Sequence, residues 1–168
     1  MIKLNCVKYN LFIYICTEIN ISMKEQLKLA DQMCFPIYLL AKEIVNQYRP
    51  ILDKLELTYP QYLVMIVLWE QGKQTVSELG EKLNLDSGTL TPLLKRLEQK
   101  KFISRKRKST DERVVEISTT ALGDNLHKKA VQVPQQLADS ICISIDDFQN
   151  LKINIENILT NINNNINK

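Results

Sequence analysis

"LDSGTLTPLLKRLEQKKFISRKRKSTDERVVEIST", Leu85 to Thr119, changes its period halfway along. The first half sets Leu90, Leu93, Leu94 and Leu97 at helical spacing and leaves Ser87, Thr89, Thr91, Lys95 and Arg96 for the outside. This predicts a helix from Ser87 to Lys100, capped by Asp86 or Ser87. After Lys101 the segments "FISRKRK" and "RVVEIST" are short and β-prone. The polar "STDE" joins them, so a hairpin is expected.

Just upstream, "TVSELGEKLNL" opens on Thr75 and Glu78, the spacing of a capping box, and carries a one-sided stripe of Val76, Leu79 and Leu83. The break "NLD" separates it from the next helix. Two short helices joined by a tight turn, then a basic hairpin, make a winged helix-turn-helix. The second helix is the candidate reader. Its small polar N-terminal residues can enter a major groove about 12 Å wide, and a helix N-terminus also suits a phosphate. Lys95, Arg96 and the strand cations Arg105 to Lys108, Arg107 among them, would neutralise phosphates. Such contacts supply affinity without sequence choice. Arg113 falls at the hairpin tip, where an arginine can enter a narrow minor groove. Asp111 is expected to hold its guanidinium in a charge-assisted pair.

Charge supports this reading. Net charge is only +3, but Lys95 to Arg113 holds nine basic residues against three acidic ones, a local +6. A basic island on a slightly acidic body suits a polyanion-binding surface. Hydrophobic content of 45% and charged content of 24% are ordinary for a globular protein and exclude a disordered chain.

Further out lie helices. In "TYPQYLVMIVLWEQG" Thr58 and Gln61 fit a capping box, Pro60 is tolerated in the first turn, and Gly72 ends the run. Tyr62 to Trp69 is apolar nearly all round, as in a buried helix. Lys24 to Leu55 reads as one long helix with a kink or fresh start near Cys34, because Pro36 lies inside it. Thr119 or Thr120 starts another helix, interrupted by Pro134. Ser144 and Asp147 cap the last, which carries Phe148, Leu151, Ile155, Ile158, Leu159 and Ile162.

The expected fold is therefore mainly α, a winged helix-turn-helix with a two-stranded β-wing. Residues 58–118 form the DNA-binding core, 23–57 an N-terminal dimerisation helix and 119–168 the C-terminal dimerisation helices. One small winged domain cannot cover the flanking apolar stripes, whereas a second copy would, and a two-fold molecule matches a two-fold operator. Residues 1–22 show no clean period and are read as a non-native or disordered extension, with Met23 as the start.

The cysteines are Cys6, Cys16, Cys34 and Cys142, without a C-x-x-C pair, and His127 is the sole histidine, read as a surface residue. That composition argues against a metal site, and no cofactor is expected. "LFIYIC" is too short to span a bilayer and no cleavage site follows, so no membrane partner is expected and a reducing cytoplasm is the default. Cys34 heads an apolar helical pattern followed by Tyr38 and Tyr48. Taken alone, it reads either as core filler or as a reactive thiol.

The segments "QMCFPIYLLAKEI", "LDKLELTYPQYLVMIVLWE", "LDSGTLTPLLKRLE" and "DERVVEIST" together resemble the MarR (multiple antibiotic resistance regulator) family of winged-helix repressors. Within it the chain is similar to the organic hydroperoxide resistance repressors, over about Lys24 to Leu159. The resemblance implies that Cys34 is the sensor thiol, and that Tyr38 and Tyr48 hydrogen-bond its sulfur across a homodimer. It implies that Ser87, Thr89 and Thr91 lie on the recognition helix, that Asp111 and Arg113 form the wing-tip pair, and that oxidation releases pseudo-palindromic operator DNA. The oxidised sulfur would then take a partner, either Cys142 as a resolving thiol or a low-molecular-weight thiol from solution. Three alternatives stand beside this reading: a MarR-type repressor released by a small phenolic or other ligand with Cys34 structural, a thiol peroxidase, and a structural helical module.

Overall fold

The computed structural model describes residues 28, 29, 32, 34–108 and 111–166. The expected extension 1–22, with Cys6 and Cys16, lies outside them. The elements in chain order are α1 (Cys34–Asp53), α2 (Tyr59–Gln71), β1 (Gln74–Thr75), α3 (Val76–Leu83), α4 (Ser87–Gln99), β2 (Ile103–Lys108), β3 (Asp111–Thr119), α5 (Ala121–Ala130), α6 (Val133–Ile141) and α7 (Ile145–Ile166).

The chain divides into two units, Met1–Glu43 and Ile44–Lys168. In the first, Leu29 sits in a 3₁₀ turn and Gln32 is not helical, and the helix makes at Cys34 the fresh start expected there. Pro36 is the physical reason. Its ring clashes with the carbonyl four residues back, that of Gln32, so the helix cannot extend through that turn. Gln32 instead accepts from the Phe35 amide in a tight turn at 3.1 Å.

The second unit is built on caps and leucine stripes. Both arms of the Thr75–Glu78 box are made: the Glu78 amide donates to Thr75 Oγ1 at 3.2 Å and the Thr75 amide to Glu78 Oε2 at 2.6 Å. At α2 the glutamine arm is made, with the Thr58 amide donating to Gln61 Oε1 at 3.1 Å. Asn84 closes α3 in the left-handed conformation (φ 51°), which asparagine tolerates better than most residues. Asp86 rather than Ser87 caps α4, accepting from the Thr89 amide at 2.9 Å. Leu90, Leu93, Leu94 and Leu97 of α4 pack with Leu79, Val64, Met65 and Ile117 in one core.

The sheet is three-stranded and antiparallel in the order β1-β3-β2. The wing hairpin is present, with Ile103 opposite Thr119 and Arg107 opposite Val115, and a register irregularity between Arg107 and Lys108. The expected two-stranded wing thus gains a third strand, β1, which pairs Gln74 with Ile117. Thr120 starts α5, accepting from the Gly123 amide at 3.2 Å. A Cβ on Gly123 would stand 2.1 Å from the Phe102 carbonyl oxygen, so only glycine lets this turn rest on the α4–β2 junction. Pro134 falls in the first turn of α6, just past the end of α5, and Ser144 caps α7 through the Asp147 amide at 3.1 Å.

The core is closed, but the flanking helices are not. Ile37 and Tyr38 on α1 and Phe148, Ile155, Ile158, Leu159 and Ile162 on α7 remain exposed in the single chain. His127, expected as a surface residue, is exposed and also stacks on Trp69 with ring centroids 5.0 Å apart.

Candidate DNA interface and sensor thiol

The reader presents Ser87, Thr89, Thr91, Lys95 and Arg96, all exposed, on the side of α4 away from its leucines. Their hydroxyls are not equally free. Thr89 Oγ1 donates to Asp86 Oδ2 at 2.8 Å, and Thr91 Oγ1 donates back to the Ser87 carbonyl at 2.7 Å. Among the described residues the Ser87 hydroxyl makes no side-chain bond, which leaves it the freest of the three. The Asp86 carboxyl is held below the usual range, chiefly by the Thr89 hydroxyl and then by the Thr89 amide. The helix N-terminus therefore presents a fixed negative charge beside its donors, and Asp86 is a residue the sequence reading treated only as a cap.

In the wing, Lys106, Arg107 and Lys108 are exposed. Arg105 is half-buried, and its guanidinium lies 3.7 Å from Glu98 on α4, so it ties the wing to the reader rather than standing free for phosphate. Asp111 and Arg113 are both exposed. The expected Asp111–guanidinium pair is corrected: Asp111 Oδ1 accepts from the backbone amide of Arg113 at 3.0 Å. An aspartate bonding the amide two residues on is a turn-forming contact, so it shapes the hairpin and leaves the guanidinium unpaired among the described residues.

Cys34 is the first residue of α1 and is exposed. Tyr38, one helical turn on, is also exposed and shares its side of the helix. Pro36 falls in that first turn, where its missing N–H costs nothing. Tyr48 belongs to the second unit and is half-buried. Its ring packs on Tyr59 at 4.7 Å and on Tyr62 at 6.0 Å. Burial, then its two tyrosine neighbours, push its phenol up to about 12. Burial, then Tyr59, also raises the Tyr62 phenol. Tyr48 is thus a hydrogen-bond donor at any physiological pH. Sequence reasoning missed Tyr59 and Tyr62, since no spacing in the sequence ties them to Tyr48. Cys142 is exposed in the left-handed conformation (φ 52°) at the end of α6, its sulfur 3.7 Å from the Asp139 carbonyl.

A helix-turn-helix with a basic wing and an outward polar reader defines a winged-helix regulator. Comparison with known proteins narrows the class. The family model described as transcriptional regulator SarA/Rot matches residues 46–130. The organic hydroperoxide resistance transcriptional regulator of Bacillus subtilis is 48% identical over 128 residues, which is 76% of this chain and 87% of that protein. The structure of reduced AbfR bound to DNA superposes with a TM-score of 0.66 at 35% identity, covering 84% of this chain and 99% of that one. The structure of disulfide-formed AbfR gives 0.59 at 32% identity, over 90% and 99%. AbfR is a protein of Staphylococcus epidermidis. The chain belongs to the MarR-type winged-helix transcriptional regulators, in the branch that contains the organic hydroperoxide resistance and SarA/Rot regulators.

Proposed function

We propose that this chain is a homodimeric repressor that holds a pseudo-palindromic operator while Cys34 is reduced and releases it when an organic hydroperoxide oxidises Cys34. The observation that carries the reading is an exposed thiol at the first residue of α1, in a chain whose winged core turns a basic reader outward. The Cys34 thiolate attacks the distal peroxide oxygen. An S–O bond forms, the O–O bond breaks, and the alkoxide leaves and takes a proton as an alcohol. The sulfenic acid then condenses with a low-molecular-weight thiol to a mixed disulfide and water. Tyr38 and Tyr48 donate to the thiolate across the dimer and favour it over the thiol. A polar adduct strains the apolar dimer interface. Reader spacing must match about 34–36 Å for both half-sites, so a small shift releases DNA.

On DNA, Ser87, Thr89 and Thr91 face base edges, and Lys95, Arg96, Arg107 and Arg113 meet phosphates or the minor groove. Arg105 and Asp111 position the wing. Residues 23–57 and 119–168 form the dimer bundle around the 58–118 core. The protein acts in the cytoplasm, and Cys34 is spent once per signal rather than turned over, so it is a sensor and not an enzyme. Among the described residues no helix is long and apolar enough to cross a membrane.

The test is operator binding by Cys34→Ser. Wild type loses affinity by at least roughly tenfold with cumene hydroperoxide, a change worth about 1.4 kcal/mol, and the variant keeps it. Release of the variant by hydroperoxide would sink the thiol reading. Mass analysis of the oxidised protein identifies the partner: a small-thiol adduct on Cys34 supports the mixed disulfide, and a Cys34–Cys142 crosslink replaces it with the resolving route. A second reading, release by a small phenol, draws on an apolar cavity of about 480 Å³ lined by Tyr62, Ile66, Trp69, Val131 and Pro134. Release of Cys34→Ser by a phenol without oxidant would favour it.

A further inference from the structure

At the start of α4 the hydroxyl protons of two threonines are already committed. Thr89 Oγ1 lies 2.8 Å from Asp86 Oδ2, and Thr91 Oγ1 lies 2.7 Å from the Ser87 carbonyl oxygen. The Thr89 hydroxyl, then its amide, hold the Asp86 carboxyl below the usual range, so it is ionised at neutral pH. An ionised carboxylate and a carbonyl can only accept, so each threonine must donate its single proton inward. What each hydroxyl has left for an outside partner is lone pairs. The carboxylate is itself held in place, since Oδ1 accepts from the Thr89 amide at 2.9 Å. A Cβ on Gly88 would stand 3.0 Å from that oxygen, so glycine leaves the carboxylate room.

A threonine hydroxyl ordinarily reads either kind of base edge, because it rotates to donate or to accept. Thr89 has lost that choice. In the major groove the amino groups are N6 of adenine and N4 of cytosine, whereas guanine O6 and N7 and thymine O4 are acceptors. An acceptor-only hydroxyl gains a bond from an amino group and sets lone pair against lone pair at guanine or thymine. We propose that Asp86 is a specificity-determining positioning residue. By taking the Thr89 proton it restricts the reader to a base that offers an amino group, adenine or cytosine, where Thr89 meets the groove. This rests on α4 lying in the major groove with Thr89 toward the bases, as proposed above.

Asp86→Asn separates this role from capping. Asparagine caps a helix about as well as aspartate. With its oxygen on the Thr89 amide, its NH2 group faces Thr89 Oγ1 and donates to it, which frees the threonine proton for DNA. The experiment selects sites for the reduced full-length protein from random duplex DNA and repeats the selection with Asp86→Asn, Thr89→Val and Thr89→Ser. Asp86→Asn and Thr89→Val should relax the preference at one position per half-site by at least roughly fivefold, the low end for a base contact. Thr89→Ser, which keeps the hydroxyl, should retain it. At that position, purine in place of adenine, or pyrimidin-2-one in place of cytosine, deletes only the amino group. Wild type should lose affinity for such a duplex by at least roughly fivefold, and Thr89→Val should not respond. If Asp86→Asn misfolds, Thr89→Val and the base analogues carry the test. Asp86→Asn binding that changes by the same factor on every duplex would mean charge or capping alone and would overturn the assignment. So would a wild-type protein indifferent to the amino group, or one that loses affinity instead when a purine N7 at that position is deleted. A wild-type protein that enriches no site at all would overturn the repressor reading itself, and this assignment with it.

Discussion

The winged core and the helices that flank it treat the same residue types in opposite ways. In the core, Leu79, Leu90, Leu94, Leu97 and Ile117 have no exposed surface at all. On α7, Ile158 and Leu159 are 52% and 53% exposed. The core is finished by one chain, because its helices and sheet present matching apolar faces between Ile51 and Val133. The first half of α1 and all of α7 carry apolar stripes that stay exposed in their own chain, although Ile51, Leu52, Leu126 and Val133 of the flanking helices join the core. That difference separates a reading head from an unfinished joint, and a second copy completes the joint.

The comparison breaks most visibly at α7. Ile158→Glu with Ile162→Glu should give a monomer by analytical ultracentrifugation, and operator affinity should fall at least about 100-fold as two-site binding is lost. Core NMR shifts should stay in place. A dimer that survives both charges would show that α7 is not the joint.

Next in size is Gly123→Ala, which places a methyl against the Phe102 carbonyl backbone. It should cost roughly 3 kcal/mol in urea unfolding, at the upper end of overpacking effects. A loss under about 0.5 kcal/mol, the range of ordinary surface changes, would mean the core is less tightly closed than described.

A smaller effect is expected on the wing. Arg107→Ala should lower the slope of log affinity against log salt by about one, the value for one released counterion, without changing stability. An unchanged slope would remove Arg107 from the phosphate set.

The smallest effect concerns Tyr48, where the second half of α1 meets the core. Its phenol is raised from an ordinary value of 10.0 to about 12, so the folded state resists ionisation. The linked stability is intact below pH 10 and declines as pH rises toward 12. Tyr48→Phe should flatten that decline, and phenolate absorbance should lose a late-titrating group. An equally steep decline in the variant would place Tyr48 outside the closed region.

What could be read from the sequence follows from how far apart the cooperating residues lie. The caps at Thr75, Asp86, Thr120 and Ser144 and the stripe of α4 are local, and each is set by residues within a turn or two. Strand β1 could not be read this way, because two residues have no period and Gln74–Thr75 is a strand only because β3 lies beside it. The tyrosine cluster was hidden for the same reason. Tyr48 meets Tyr59 and Tyr62 through a helix–helix contact that no spacing encodes. Arg105 read as one more cation until Glu98 appeared 3.7 Å away across the α4–β2 turn. The Asp111–Arg113 pairing was placed correctly along the chain but on the wrong atom, since an aspartate two residues before an amide competes strongly for it.

The contact between Gly123 and Phe102 has one more consequence. Thr120 donates through its amide to the Phe102 carbonyl at 3.1 Å, and Trp69 Nε1 donates to the Gly123 carbonyl at 3.0 Å. The first turn of α5 is therefore bolted on one side to α2 and on the other to the junction of reader and wing. In a machine this would be a coupling without backlash. No gap separates the three parts, so the first turn of α5 cannot shift without disturbing its bonds to both α2 and the junction of reader and wing.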